Sequence, residues 1–169
     1  MPGASSPVAE ARAAALECRV AADGDERRAH FAIRRAVFCR EQGMFGGVDD
    51  RDARDGDVCT FHAVGVQDGA IGGTVRLYPL DDGPGLWQGD RLAVLPRFRR
   101  GLMGASLVHF AVRTAGRRGG ERMVAMIQLP NVGFFLGLGW ELDGPIVAFH
   151  GRDHQPMAIA LSAGADGGR

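Results

Sequence analysis

The residues whose types and spacing best suit them to chemistry lie between positions 90 and 115. Residues 92–95 form a short apolar run that ends at Pro96, which cannot donate to a sheet ladder. A basic turn containing Gly101 follows, and apolar residues then recur every three or four positions, as on one face of a helix. A helix start offers unpaired backbone N–H groups and the positive end of the helix dipole. The pattern therefore predicts a strand, an anion-binding turn and a helix, with a place for a phosphate or pyrophosphate.

The same stretch resembles the signature of the GNAT superfamily of acyl-coenzyme A transferases, in which Leu-Ala-Val and a proline precede Arg-x-x-Gly-x-Gly and a helix. Leu102 stands where the first glycine of that family belongs, and Gly101 lies one residue earlier. The alternative interpretation is an ordinary strand, turn and helix of any α/β domain. The resemblance implies that acetyl-coenzyme A, or another short acyl-coenzyme A, contacts Leu92, Ala93, Val94, Arg99, Arg100, Gly101, Leu102, Met103, Gly104 and Ala105.

The rest of the chain supplies the elements that position this segment. Alternating apolar residues between turn residues predict strands over residues 16–22, 58–67, 71–77, 86–95, 123–128, 140–142, 146–150 and 157–161. Helical spacing predicts helices over residues 26–41, 103–116 and 134–138. This order is that of the GNAT fold, an α/β (α+β) arrangement with a mixed, mostly antiparallel sheet and a central parallel β-α-β unit. The two parallel strands are expected to splay after Pro96.

Composition favours a single domain in the cytoplasm. The chain has 169 residues, enough for one hydrophobic core, and its 20 basic and 20 acidic residues cancel, which does not favour a nucleic-acid or membrane partner. All basic residues are arginine, so a lysine nucleophile or Schiff base is excluded. The three cysteines lack CxxC spacing, which favours reduced thiols. We expect a domain at residues 15–162 between disordered tails at residues 1–14 and 163–169.

The N-terminal half carries a second resemblance, to the acyl-homoserine-lactone (autoinducer) synthases. Their Arg-x-x-x-Phe pattern matches residues 34–38, their Gly-x-x-Arg-Leu strand matches residues 73–77, and their Glu-x-x-Arg pattern matches residues 88–91. Gln88 replaces the glutamate that is assigned a proton-handling role in that family. The substrate-binding residues implied by this resemblance are Arg34, Phe38, Phe45, Arg76, Gln88 and Arg91.

Ion pairs are expected between three of these residues and the glycine- and aspartate-rich loop at residues 42–56. The planar fork of arginine suits bidentate pairing with carboxylates, which would order the loop over the substrate. The alternative is a set of exposed pairs that contribute little to stability. The predicted partners are Arg34, Arg76 and Arg91 on one side and Asp49, Asp50 and Asp52 on the other.

Residues 131–140 resemble the late segment of the GNAT family, in which an asparagine precedes Phe-Tyr-x-x-Leu-Gly-Phe. Phe135 occupies the place of the tyrosine that often protonates the departing thiolate, and the single tyrosine, Tyr78, lies elsewhere. A tyrosine acid at the usual position is therefore excluded. Asn131, Phe134 and Phe135 are expected to border the coenzyme A arm, and a plain core role for the two phenylalanines is the alternative.

Two carboxylates are candidates for the general base. Glu41 ends the first predicted helix, and Asp90 comes just before the signature strand. Proton transfer through water is the alternative.

His150 and His154 have the spacing of some metal ligands, but the sequence places them in a turn with no third ligand nearby. We expect no metal.

The sequence therefore predicts an N-acyltransferase, in the simplest case an N-acetyltransferase, that acts on the amine of a small molecule. A third resemblance, to a GNAT subfamily named for nitrogen starvation and encoded near nitrilase genes, also implies a small amine substrate. One alternative is a lactone-synthase-like enzyme that uses acyl-carrier protein. Another is a non-catalytic acyl-coenzyme A sensor, because Phe135 and Gln88 stand where proton-handling groups are expected. For the oligomeric state, a homodimer is one alternative.

Overall fold

The computed structural model describes residues 15–163, so the predicted tails at residues 1–14 and 163–169 lie outside it except for Ala163. Eight strands form one sheet: β1 Leu16–Val20, β2 Phe61–Gln67, β3 Ala70–Pro79, β4 Leu86–Val94, β5 Arg122–Gln128, β6 Glu141–Leu142, β7 Val147–Phe149 and β8 Arg152–Ala160. The α-helices are α1 Gly24–Arg34, α2 Met103–Arg117 and α3 Val132–Gly137. Within residues 15–163, no helix combines the length and the apolar composition that crossing a bilayer requires.

The strands follow the spatial order β1-β2-β3-β4-β5-β8-β6, and β7 also pairs with β8. Every neighbouring pair is antiparallel except β4 and β5, which α2 connects. The predicted fold class is thereby confirmed, including the central parallel β-α-β unit.

Helices α1 and α2 cover opposite faces of this sheet. Neighbouring residues of a strand point to opposite sides, so each strand contributes side chains to both faces. Val75 of β3 belongs to the same hydrophobic cluster as Leu107 of α2, whereas Ala93 of β4 belongs to a second cluster with Ile33 of α1. At Gly73 the backbone of β3 approaches α2 so closely that a Cβ atom would lie 2.7 Å from Leu107 Cδ1. The core therefore lies mainly between the sheet and α2.

Strands β4 and β5 pair only where they begin. Residues 86–88 of β4 face residues 122–124 of β5, and the ladder stops there. The sheet therefore opens from Gly89 onwards, well before Pro96, where the sequence analysis placed the opening.

A β-bulge in β4 lies at this opening. Arg91 and Leu92 together lie opposite the single residue Val75 of β3, and Arg91 has a φ of 52°. The extra residue reverses the alternation of β4. As a consequence the carboxylate of Asp90 lies on the α1 face, where it meets Arg76.

The first helix differs from its prediction in its second half. Asp23 caps α1 by accepting a hydrogen bond from the Glu26 N–H, but the α-helical bonding ends at Arg34. Residues Arg35–Glu41 continue in π-helical turns, a conformation that is frequent at functional sites. These turns carry Phe38 to the opening in the sheet.

Two strands begin more than one residue away from their predicted starts. β2 begins at Phe61 rather than at residue 58, because residues 57–60 form a turn closed by the Thr60 N–H and the Asp57 carbonyl. β8 begins at Arg152 rather than at residue 157. β8 tolerates Pro156 in its interior. The Pro156 carbonyl accepts from the Asp143 N–H, which lies on the side of β8 away from β5, and the proline nitrogen points to that same side. The missing N–H therefore removes no hydrogen bond between β8 and β5.

Candidate active site

A cavity of about 180 Å³ lies where β4 and β5 separate. We call its wall on the α2 face the apolar compartment, formed by Val75, Leu92, Val108, Ala111, Met123, Ala125, Ile127, Phe135 and Trp140. We call its wall on the α1 face the polar compartment, formed by Phe38, Gln42, Met44, Phe45, Gln88, Asp90, Arg91, Met126, Gln128, Phe149 and His154. The opened sheet joins the two compartments.

The start of α2 offers a set of free donors near the mouth of this cavity. Within residues 15–163, the backbone N–H groups of residues 102–105 donate no hydrogen bond. Leu102, at the position of the missing family glycine, is 72% exposed and does not obstruct them. A Cβ atom at Gly104 would lie 3.6 Å from Phe134 Cζ and 3.9 Å from Val94 Cγ2, so this glycine keeps a narrow cleft open. The arrangement suits a phosphate group.

Arg99 beside this helix start is held by Glu41. Its two terminal nitrogens donate to the two carboxylate oxygens of Glu41 at 2.6 and 2.7 Å, and its Nε donates to the Val94 carbonyl at 2.8 Å. The hydrogen bonds from Arg99 lower the pKa of Glu41, and Glu41 does not line the cavity. The structure thus places this predicted base in an ion pair outside the site.

An arginine–aspartate network lies on the α1 face under the 42–56 loop. It consists of Arg34, Arg76, Arg91, Asp50, Asp52, Asp55 and Asp90. The predicted partner Asp49 is not part of it, because its carboxylate accepts from the Arg51 N–H in the loop itself. Asp55, which the sequence analysis did not select, takes its place. The network is mostly buried, unlike the exposed pairs of the alternative interpretation.

Arg34 anchors the loop from α1. Its side chain has no exposed surface, and it donates to Asp50 at 2.7 Å and to both oxygens of Asp55 at 2.7 and 3.0 Å. Burial alone would raise the pKa of Asp55, but the hydrogen bonds from Arg34 and from the Asp52 N–H lower it well below its usual range. Arg34 does not line the cavity, so it holds the loop and is not placed to contact a substrate.

Arg76 of β3 also anchors the loop. It donates to both oxygens of Asp90 at 2.7 Å and to Asp52 at 2.6 and 3.0 Å, and its side chain is fully buried. Tyr78 also donates to Asp90, at 3.2 Å, and burial raises the pKa of Tyr78 to about 12. Asp90 therefore lines the cavity with both oxygens occupied, and Arg76 lies beneath it.

Arg91, on the bulge, joins the loop to the rim of the cavity. It donates to the Asp50 carboxylate at 2.9 Å and to the Asp50 carbonyl at 2.8 Å, and its guanidinium lies 4.6 Å from the Phe45 ring centroid. Phe45 packs in turn against Phe149 and His150, at 6.2 and 4.1 Å between ring centroids. The loop thus closes one side of the polar compartment. The predicted substrate residues that line the cavity are Phe38, Phe45, Gln88 and Arg91.

Two neutral histidines lie next to the network. His30 Nδ1 is 2.9 Å from the Ala63 carbonyl, and His30 Nε2 is 3.3 Å from both His62 Nδ1 and Arg34 Nη1. Burial lowers the pKa of His30 to about 3 and that of His62 to about 4. As neutral rings they pack next to the charged groups of the network without adding charge to it.

Three polar residues of the cavity were missed by the sequence analysis as site residues. Gln128 of β5 donates to Gln42 at 2.8 Å, and His154 of β8 lies opposite Gln128 in the ladder. The prediction that β8 starts at residue 157 placed His154 in a turn. Only the register between β5 and β8 shows that these side chains share one face.

Comparison with known proteins shows where this architecture recurs. The sequence model of the acetyltransferase (GNAT) family matches residues 17–140. A proposed N-acetyltransferase from Lactobacillus plantarum has a similar structure, with a TM-score of 0.76 and 24% identity, covering 87% of this chain and 99% of its own. Escherichia coli ElaA has a TM-score of 0.73 at 19% identity, covering 86% of this chain and 98% of its own.

A coenzyme A-dependent acyl-homoserine lactone synthase, BjaI, has a TM-score of 0.71 at 16% identity, covering 88% of this chain and 83% of its own. No curated protein sequence matches this chain. At these identities the structural likeness establishes a shared fold, and the family match spans the strand, turn and helix around the cleft at Gly104.

Proposed function

Because this chain belongs to the acetyltransferase (GNAT) family, we propose that it transfers an acyl group from acyl-coenzyme A to the amine of a small molecule. Acyl transfer is the chemistry of the family as a whole. One observation carries the proposal for this chain. The free N–H groups at the start of α2 lie beside the opened edge of β4, and that edge leads into a cavity with an apolar and a polar compartment.

The pyrophosphate of coenzyme A is proposed to bind the N–H groups of residues 102–105. Met103 is fully buried, so it contributes only its backbone. The pantetheine arm is proposed to follow residues 92–94, whose side towards β5 is free of strand pairing in the described sheet. Phe134, 43% exposed, borders that path, whereas Phe135 is buried and lines the apolar compartment.

The apolar compartment supports acyl groups larger than acetyl. The cavity of about 180 Å³ would be shared between the acceptor amine in the polar compartment and the acyl group in the apolar compartment. The apolar compartment is lined by nine apolar side chains, and burial of a hydrocarbon chain against apolar surface is favourable. We therefore propose that short acyl chains longer than acetyl, such as butyryl, are accepted as well as acetyl.

The test is a free-thiol release assay with acetyl-, butyryl- and hexanoyl-coenzyme A against a panel of small monoamines, diamines and amino acids. Release that requires both the acyl donor and an amine is the expected result. Coenzyme A binding without release from any amine would favour the non-catalytic sensor. Release only when the acyl group is carried by acyl-carrier protein would favour the lactone-synthase-like alternative.

Replacing Gly104 with valine is expected to weaken coenzyme A binding about tenfold or more. The new methyl groups would enter the cleft towards Phe134 and keep a phosphate from the N–H groups, and each hydrogen bond to a charged group contributes about 1.5–3 kcal/mol. Calorimetry measures the dissociation constant. His109→Val is the matched control, because it places the same β-branched residue on an exposed position of the same helix. Equal affinity for both variants would show that the phosphates bind elsewhere.

A further inference from the structure

We propose that His154 Nε2 is the catalytic base that takes the proton from the acceptor amine as it attacks the thioester. This inference rests on the proposed function and names a residue of the same site. Three observations support it: the position of His154 in the polar compartment, the hydrogen bond that fixes its ring, and the engagement of the neighbouring acids by other groups.

The ring of His154 is held in one orientation and one tautomer. Its Nδ1 lies 2.9 Å from the Arg152 carbonyl, which only accepts hydrogen bonds, so Nδ1 carries the proton in the neutral ring. The Phe149 ring packs edge-on against it, with centroids 5.4 Å apart. The Nε2 lone pair is thereby left for another partner.

The ring of His154 lies at the wall of the cavity. The residue as a whole is only 4% exposed, and within residues 15–163 its Nε2 makes no hydrogen bond. Nε2 itself keeps some accessible surface, and His154 is one of the residues that line the cavity. A buried imidazole with one committed nitrogen and one accessible nitrogen is the arrangement that a proton acceptor requires.

The other acids and bases near the cavity are engaged. Both oxygens of Asp90 accept hydrogen bonds from Arg76, and Glu41 is paired with Arg99 outside the cavity. The amides of Gln42 and Gln128 bond to each other. Among the described residues that line the cavity, His154 is the histidine, and its second ring nitrogen makes no hydrogen bond.

The charged surroundings of His154 are defined by the elements packed around it. Asp90 and Arg91 line the cavity from β4, and Arg152 of β8 donates to the Gln42 carbonyl. His150 precedes β8 in the turn, and Asp153 is the chain neighbour of His154. The residues that line the cavity from β5, β7 and the π-helical turns are uncharged.

The proposed step balances in atoms and charge. The amine nitrogen forms a bond to the thioester carbon, the carbon–sulfur bond breaks, and the electron pair leaves with the sulfur as coenzyme A thiolate. The nitrogen gives one proton to His154 Nε2, and that proton then passes through water to the thiolate. The products are the amide and free coenzyme A thiol, and His154 returns to its neutral form.

The test compares His154→Asn and His154→Ala with the unaltered protein and with the exposed-site control His109→Asn. Asparagine retains a donor for the Arg152 carbonyl and lacks the second ring nitrogen. We expect kcat to fall by roughly 100-fold or more in both His154 variants, with coenzyme A affinity unchanged. The acidic limb of the pH–rate profile should disappear, and added imidazole should restore part of the rate in His154→Ala.

The outcomes separate this inference from the proposed function. Turnover by the unaltered protein, combined with His154 variants within threefold of its kcat and with an unchanged pH profile, overturns the role of His154 alone. A loss of rate that imidazole does not relieve, with the acidic limb retained, also overturns it, since a purely structural role predicts that result. No turnover by the unaltered protein with any donor and amine overturns both proposals. Melting temperatures of all variants establish that each is folded.

Discussion

Replacing Arg76 with leucine is expected to lower the free energy of unfolding by about 3–5 kcal/mol. Arg76 has no exposed side-chain surface, and its donors serve Asp52 and Asp90 while a third carboxylate, Asp55, lies 3.0 Å away. Leucine would leave Asp90 with the Tyr78 hydroxyl and a distant contact to Arg91 at 3.9 Å. A buried carboxylate without its cation carries a large desolvation penalty, and the loss is a large fraction of the stability of a typical domain.

The measurement is urea unfolding of Arg76→Leu beside Arg122→Leu. Arg122 also lies on a strand and pairs with an aspartate, Asp143, at 2.6 Å, but its side chain is 50% exposed. The control change should therefore alter stability by less than about 1 kcal/mol. If the two variants lose equal stability, the network does not act as a set of buried pairs. A retained fold with a raised KM for the amine would show in addition that Asp90 and the loop shape the polar compartment.

The fold was predictable because its signals are local. The apolar spacing after Leu102, and Gly119 and Gly120, which follow the helix and are typical of a helix end, define α2 to within one residue. The family signature orders the strands around it. The separation of β4 from β5 at Gly89 was not predictable from Pro96, since it depends on the bulge at Arg91 and on pairing across the sheet. Neither the bulge nor the pairing across the sheet can be recognised from the sequence of one strand.

Those parts of the candidate site were predictable whose chemistry depends on one residue alone, either on its backbone N–H group or on its charge. The helix start at residues 102–105 and the three arginines of the network belong to this class. Partner choice was not predictable, because Asp49 and Asp55 have the same chemistry and only the path of the loop decides which one faces Arg34. His154 was misplaced for a related reason, because its position at the cavity depends on the register of β8.

Acidification is expected to destabilise the protein strongly between pH 8 and pH 5. His30 and His62 have folded-state pKa values of about 3 and about 4, below the ordinary value near 6.5 that applies to the unfolded chain. The unfolded state therefore takes up protons first as the pH falls. Their contribution to stability is complete above about pH 6.5 and is lost as the pH falls towards 4 and then 3. At pH 5, His30 alone accounts for a loss of about 2 kcal/mol, and His62 adds to it in the same direction.

This window isolates the histidines from the carboxylates of the network. Lowered pKa values such as those of Asp52 and Asp55 affect stability only below about pH 5, where the unfolded carboxylates begin to protonate. Urea unfolding at pH 8 and pH 5 should thus show the loss expected at pH 5, about 2 kcal/mol from His30 together with the contribution of His62, in the unaltered protein and in His109→Asn. His30→Asn retains an N–H donor for the Ala63 carbonyl but does not titrate, so its stability should depend less steeply on pH. If His30→Asn and the unaltered protein lose equal stability over this interval, His30 is protonated in the folded state, and a buried imidazolium beside Arg34 would have to be explained.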